Sequence, residues 1–266
     1  MKDITFGQYL PFDSFLHKSD PRTKLLLTFG LIVVTFVAFN FFSLGLVALF
    51  TVVAMLISKV PIKFYLKSLK AICFFIILTA ILNLFYIKGD TLLWSWKFIE
   101  IYKEGIEKAI FIAVRIVLLI FISSMLTYAT APTALTDAIE RLLSPLMKLG
   151  VDTHMFAMMM TIAIRFIPTL IEETQKIMAA QKARGANMET GSIINRIKAI
   201  IPILIPLLIS SVRRAKELAD AMECRCYHGG HGRTRMKQLK FTWRDSVSVI
   251  ISLLLVLGVT ALNILF

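Results

Sequence analysis

Charge is scarce in this chain. Only 18% of its 266 residues are Asp, Glu, Lys or Arg, and 57% are hydrophobic. A soluble domain carries about a quarter charged residues, so a soluble enzyme or binding module with a charged surface is excluded. Acids are the scarcer sign, 17 against 30 basic residues, for a net charge of +13. No paired carboxylates and no Ser/His/Asp set stand out in the apolar runs, which argues against a membrane enzyme. Cysteine is nearly absent. Of the three, Cys73 lies in an apolar run and Cys224 and Cys226 in a basic segment, which is no disulfide framework. No Walker-type glycine-rich loop is present, so the chain does not bind ATP by that route. No small-x-small cleavage site follows the first apolar run, which starts late, after Pro11 and Pro21. It is therefore not a secretory signal.

What the chain has is long apolar runs separated by basic clusters. Five reach or approach the roughly 20 residues that cross a hydrocarbon core about 30 Å thick. They are Leu25 to Phe42, Leu44 to Ile57 (short), Leu69 to Tyr86, Ala109 to Tyr128 and Val247 to Phe266. Residues 1–24 carry Lys2, Lys18, Arg22 and Lys24. The first link, near Asn40, is uncharged. The second holds Lys59, Lys63, Lys67 and Lys70 with no acid. The third balances four lysines against four acids, and residues 129–245 hold 17 basic residues against 10 acids. The basic excess alternates, and the positive-inside rule places the N-terminus in the cytoplasm and the C-terminus outside. The net charge thus belongs to membrane-flanking loops and not to a nucleic-acid surface. The expected fold class is an all-α membrane protein of about five transmembrane helices plus three cytoplasmic helices. Its divisions are 1–128 (lead-in and four spans), 129–245 (cytoplasmic helices) and 246–266 (last span).

Residues 129–245 are too long and too apolar for a loop. A first helix is expected from Pro132 to Leu149, with Leu135, Ile139, Leu142, Leu143 and Leu146 on one face and charges on the other, an amphipathic surface helix. A second starts near Asp152 or Thr153, runs through Met155, Met158, Met159, Met160 and Ile162, and ends at Ala183-Arg184-Gly185, with Gly185 just past its end. It would be about 50 Å long at 1.5 Å per residue. A third starts after Gly191, is kinked by Pro202 and Pro206, and is stopped by Gly229-Gly230. Both long helices start apolar, turn polar and finish on an arginine: Ala183-Arg184-Gly185 and Cys224-Arg225-Cys226. A cation at a helix C-terminus is favoured by the macrodipole, by about 0.3–1 kcal/mol. That alone accounts for one such ending, but not for the repeated design or for the apolar length.

The endings Gln181-Lys182-Ala183-Arg184-Gly185 and Ala219 to Tyr227, followed by Gly232-Arg233-Thr234 and preceded far upstream by Asp20-Pro21-Arg22-Thr23-Lys24, resemble the paired motifs of the transmembrane T component of energy-coupling factor transporters. The resemblance covers the whole chain. It departs at one place: the family motif is Ala-Arg-Gly, and the second copy has cysteines on both sides of Arg225. The resemblance implies a non-catalytic subunit in the cell membrane that couples two ABC-type ATPases to one small substrate-binding membrane subunit for a vitamin or other micronutrient. It implies that ATP and Mg sit on the ATPases, with no cofactor on this chain. The ATPase contacts would be Ala183, Arg184, Gly185, Cys224, Arg225 and Cys226. Met155, Met158, Met159, Met160 and Ile162 are candidates for the substrate-subunit contact, since flexible Met-rich faces repack against different partners; the other reading is packing within the chain.

Cys224, Cys226, His228 and His231 have zinc-ligand residue types, but residues two apart on a helix point away from each other, so no metal is expected. Arg115, near the outer end of the fourth run, is expected to snorkel. The rival function, a membrane enzyme acting on a phosphorylated or lipid substrate, would need acidic metal ligands at a membrane face. A channel would need polar residues along the spans.

Overall fold

In a computed structural model, residues 9–87, 91–96, 99–145, 153–185, 193–229 and 239–265 are described. The elements are α1 (Phe15–Lys18), α2 (Pro21–Val37), α3 (Phe41–Ser58), α4 (Ile62–Tyr86), a two-stranded antiparallel ribbon of β1 (Leu92–Trp96) and β2 (Ile99–Tyr102), α5 (Lys103–Ala129), α6 (Pro132–Leu143), α7 (Thr153–Ala183), α8 (Ile193–Glu223) and α9 (Trp243–Leu265). The chain divides into one unit of residues 1–138 and 238–266 and a second of residues 139–237.

Five described helices are long and apolar enough to cross a membrane: α3, α4, α5, α7 and α9. Four correspond to expected spans. The expected first span is α2, of 17 residues, and its boundary differs from the sequence expectation. The apolar run Leu25 to Phe42 is cut at Ala38–Asn40, and Phe41 and Phe42 open α3, which reaches 18 residues. Hydropathy does not see this turn because tertiary contacts make it. Asn263 of α9 donates to the Val37 carbonyl at 2.7 Å and accepts from Ser43 at 2.7 Å. Arg115 of α5 donates to the Ala38 carbonyl, the C-cap of α2, with its guanidinium 4.7 Å from the Phe111 ring centre. Snorkelling is therefore not its role: Arg115 satisfies a helix-end carbonyl and sets a cation on the negative end of the dipole.

The core of the first unit joins α2, α3, α5 and α9 through Leu31, Val34, Leu44, Val47, Leu118, Ile122, Leu255 and Val259. A smaller cluster of Val60, Tyr65, Met125 and Tyr128 sits beside it. Tyr65 is the one buried residue of α4. That helix leaves Phe74, Phe75, Ile77, Ile81 and Leu82 exposed, the pattern of a helix solvated by lipid.

One carboxylate ties the ends of this unit together. Asp245, fully buried, accepts from the Thr242 N–H through Oδ2 at 2.8 Å. This is the reciprocal half of a capping box at the start of α9. Its Oδ1 accepts from the Asp20 N–H at 2.8 Å, and Asp20 is itself the N-cap of α2, accepting from the Arg22 N–H. Arg22 reaches the Leu239 carbonyl at 2.9 Å. The lead-in Asp20-Pro21-Arg22 is thus locked to the entry of the last helix.

Candidate functional site

The second unit is built on α7 and α8, which pack in opposite senses. Gln181 of α7 meets Pro202 of α8, whereas Glu173 meets Ser210 and Arg214. The first contact follows from the prolines. Pro206 has no N–H to give the carbonyl four residues back, that of Pro202, and Gln181 Nε2 donates to that carbonyl instead at 3.3 Å. The second is an ion pair, Arg214 Nη2 to Glu173 Oε2 at 2.9 Å, half-buried. A third internal proline, Pro168, lies in α7. At the start of α7, His154 pairs with Glu140 of α6 at 3.1 Å. That helix ends earlier than expected, at Leu143, with residues 146–152 outside the described set.

Both arginine endings have the same cap geometry. At the end of α7, Gly185 has φ +85° and its N–H bonds the Lys182 carbonyl, which puts Arg184 at the C-cap and Gly185 at C′ as expected. At the end of α8, the Cys226 N–H bonds the Glu223 carbonyl at 2.8 Å and the Tyr227 N–H bonds the Met222 carbonyl at 3.1 Å. That bond pair is a Schellman motif with Cys226 at C′, and its φ is +55°. The helix therefore ends at Glu223, before the expected Gly229-Gly230 stop. Cys226 stands at the left-handed position that glycine holds in the other copy. Arg184 and Arg225 are exposed, and among the described residues neither has a side-chain partner.

The two arginines are also placed alike. Arg184 lies eleven residues beyond Glu173, and Arg225 eleven beyond Arg214. Each arm is therefore about 16 Å of proline-free helix. Since α7 and α8 run in opposite senses, the arginines mark opposite ends of the pair, about 30 Å apart.

Of the proposed contact residues on α7, Met155, Met159 and Met160 are exposed, while Met158 and Ile162 are half-buried. Phe156 is exposed among them. A larger apolar face on α8 was not singled out from sequence. Ile201, Leu204, Ile205, Leu208, Ile209 and Val212 are all exposed, spaced in adjacent pairs four apart, which is one helix face. That spacing is present in the sequence, interrupted by Pro202 and Pro206. Cys224 and Cys226 are free, exposed thiols, and His231 lies outside the described residues.

The left-handed cap makes a prediction. Replacing Cys226 by Gly removes the Cβ penalty at φ +55° and is expected to stabilise the end of α8 by up to about 1 kcal/mol. Gly185→Ala should cost about 1 kcal/mol. An added Cβ there meets no neighbour, so the cost is conformational. Thermal melts of the detergent-solubilised variants measure both, and a destabilising Cys226→Gly would show that the thiol itself holds this end.

Five helices long and apolar enough to span, with two arginine-capped helix ends, define a multi-pass helical membrane protein. A family model described as cobalt transport protein, CbiQ, matches residues 12–237. Relatives named energy-coupling factor transporter transmembrane protein EcfT are 54% identical in Ruminiclostridium cellulolyticum (92% of this chain, 91% of the relative), 51% in Clostridium kluyveri (96% and 95%) and 42% in Bacillus subtilis (96% of each). The chain belongs to this family, the transmembrane T components of energy-coupling factor transporters.

Proposed function

We propose that this chain is the non-catalytic coupling subunit of an importer, joining two cytoplasmic ABC-type ATPases to one small membrane subunit that captures a vitamin or other micronutrient. The observation that carries the reading is the pair of matched arginine caps, without side-chain partners among the described residues and set at equal arms from the Glu173–Arg214 pair. Two equivalent ATPases need two equivalent seats. Arginine suits such a seat, with a permanent charge and five donors in a rigid fork. Ala183, Gly185, Cys224 and Cys226 set the backbone around each arginine. ATP and Mg are held by the ATPases, and this chain carries no cofactor and no nucleic acid. The Met155 to Ile162 stretch of α7 and the apolar face of α8 form the surface for the substrate-binding subunit. Co-purification tests the reading: the tagged chain should bring down two ATPase copies and one small membrane protein, and recovery alone from native membranes would overturn it.

In this reading α2, α3, α4, α5 and α9 span the bilayer, with the N-terminus inside and the C-terminus outside. Although long enough to span, α7 carries Arg165, Glu172, Glu173, Lys176 and Lys182, charges that are costly in hydrocarbon, and lies with α8 on the cytoplasmic side. With the native cysteines replaced, Phe266→Cys is expected to react with an impermeant maleimide in intact cells. Reaction only after permeabilisation would reverse the assignment.

A further inference from the structure

Two adjoining depressions lie in the first unit. One is an apolar cleft of about 170 Å³, walled by Leu27 and Leu31 of α2, Phe50, Val53 and Ala54 of α3, and Met125 of α5. An apolar cavity of roughly 150 Å³ is enough to admit benzene, so several methylenes fit. Its lip includes Val53, Ile57 and Ile251, all exposed on helices apolar enough to span. The other depression is shallow and more polar than the first, lined by Lys18, Lys59 and Arg244 with Asp13, Leu56 and Trp243. Phe15 and Ile57 line both, so the two adjoin at these side chains.

We propose that they form one binding site for a single anionic phospholipid, its phosphate among Lys18, Lys59 and Arg244 and one acyl chain in the cleft. The charge is complementary. Asp13 pairs with Lys18 at 3.1 Å, but both are exposed and such pairs contribute little, so a net of two positive charges faces the phosphate. Lys59 closes α3 with φ +56°. This left-handed cap ends α3 at Lys59, where its ammonium joins Lys18 and Arg244 in lining the depression. Trp243 is exposed and packs edge-on against Phe15 at 5.9 Å, as aromatic rings do at headgroup depth. A basic pocket between spanning helices above an apolar slot is the arrangement that holds acidic headgroups. A free anion would use only the outer half of it. The site does not depend on which membrane face is cytoplasmic.

The test is native mass spectrometry of the full-length chain in detergent, titrated with phosphatidylglycerol or phosphatidylcholine. One phosphatidylglycerol is expected to be retained about tenfold better than phosphatidylcholine. Lys18→Ala, Lys59→Ala and Arg244→Ala together should bring the two lipids to parity. Asp13→Asn should strengthen retention about fivefold, an increase that a folding defect does not produce. Lys67→Ala with Lys70→Ala, which removes basic residues that line neither depression, should change nothing. Ala54→Phe, which fills the cleft, should release both lipids, with the melting temperature measured alongside. Equal retention of the two lipids by the wild type, or a triple-alanine chain that keeps the preference, would overturn the proposal. Displacement by millimolar glycerol phosphate would also overturn it, because the site would then be one for free anions.

Discussion

Arg184→Ala combined with Arg225→Ala is expected to abolish both ATPase capture and uptake. Each arginine alone should weaken them, since the other seat remains. Removing one partner of a desolvated charged contact costs about 2–5 kcal/mol, which is tens to thousands of fold in affinity. Arg→Glu should be worse than Arg→Ala, because it adds repulsion where a cation is bound. Arg→Lys should recover only part, because an ammonium lacks the planar fork. Membrane levels should be normal in every case. Among the described residues neither side chain makes a hydrogen bond or ion pair, so folding should lose no more than the helix-end charge, about 0.3–1 kcal/mol. ATPase pull-down with uptake in cells, normalised to membrane content, decides it. A double variant that still binds both ATPases and transports at the wild-type rate would reduce the arginines to helix caps.

Asp245→Leu should cost about 3–5 kcal/mol of stability. The leucine strands the buried N–H of Asp20 and leaves the part-buried N–H of Thr242 without its acceptor. Asp245→Asn should cost less, about 2 kcal/mol, since one amide oxygen still accepts while the amide NH₂ faces a donor. Asp20→Ala should cost about 1 kcal/mol, the usual loss of an N-cap. Thermal melts in detergent rank the three. If Asp245→Leu melts with the wild type, the carboxylate does not hold the two helix starts.

The spans were legible because the bilayer enforces long apolar runs. Their ends were legible only where local chemistry made them. Gly185 announced its own left-handed cap, and the end of α7 falls where the sequence puts it. Cys226 adopts the same conformation without a glycine to signal it, and Gly229-Gly230 was the stronger local cue, so α8 stops earlier than its composition suggests. The cut at Ala38–Asn40 was invisible for a different reason. It is made by Asn263 and Arg115, which are remote in sequence. The arginine-bearing motifs were plain in the sequence, but their equal spacing from a shared ion pair was not. Nothing in the sequence couples Glu173 to Arg214 until α7 and α8 pack.

The bond from Asp20 to Asp245 spans 225 positions of the chain. At about 5–20 residues per second, a ribosome needs roughly ten to fifty seconds between the two. Throughout that interval the entry of α2 is unfastened. The contact that closes the bundle is therefore among the last to form, and quality-control proteases have that window in which to sample an unclosed chain. Slowing the final stretch of translation should lower the steady-state level of this protein without altering the specific activity of the molecules that mature.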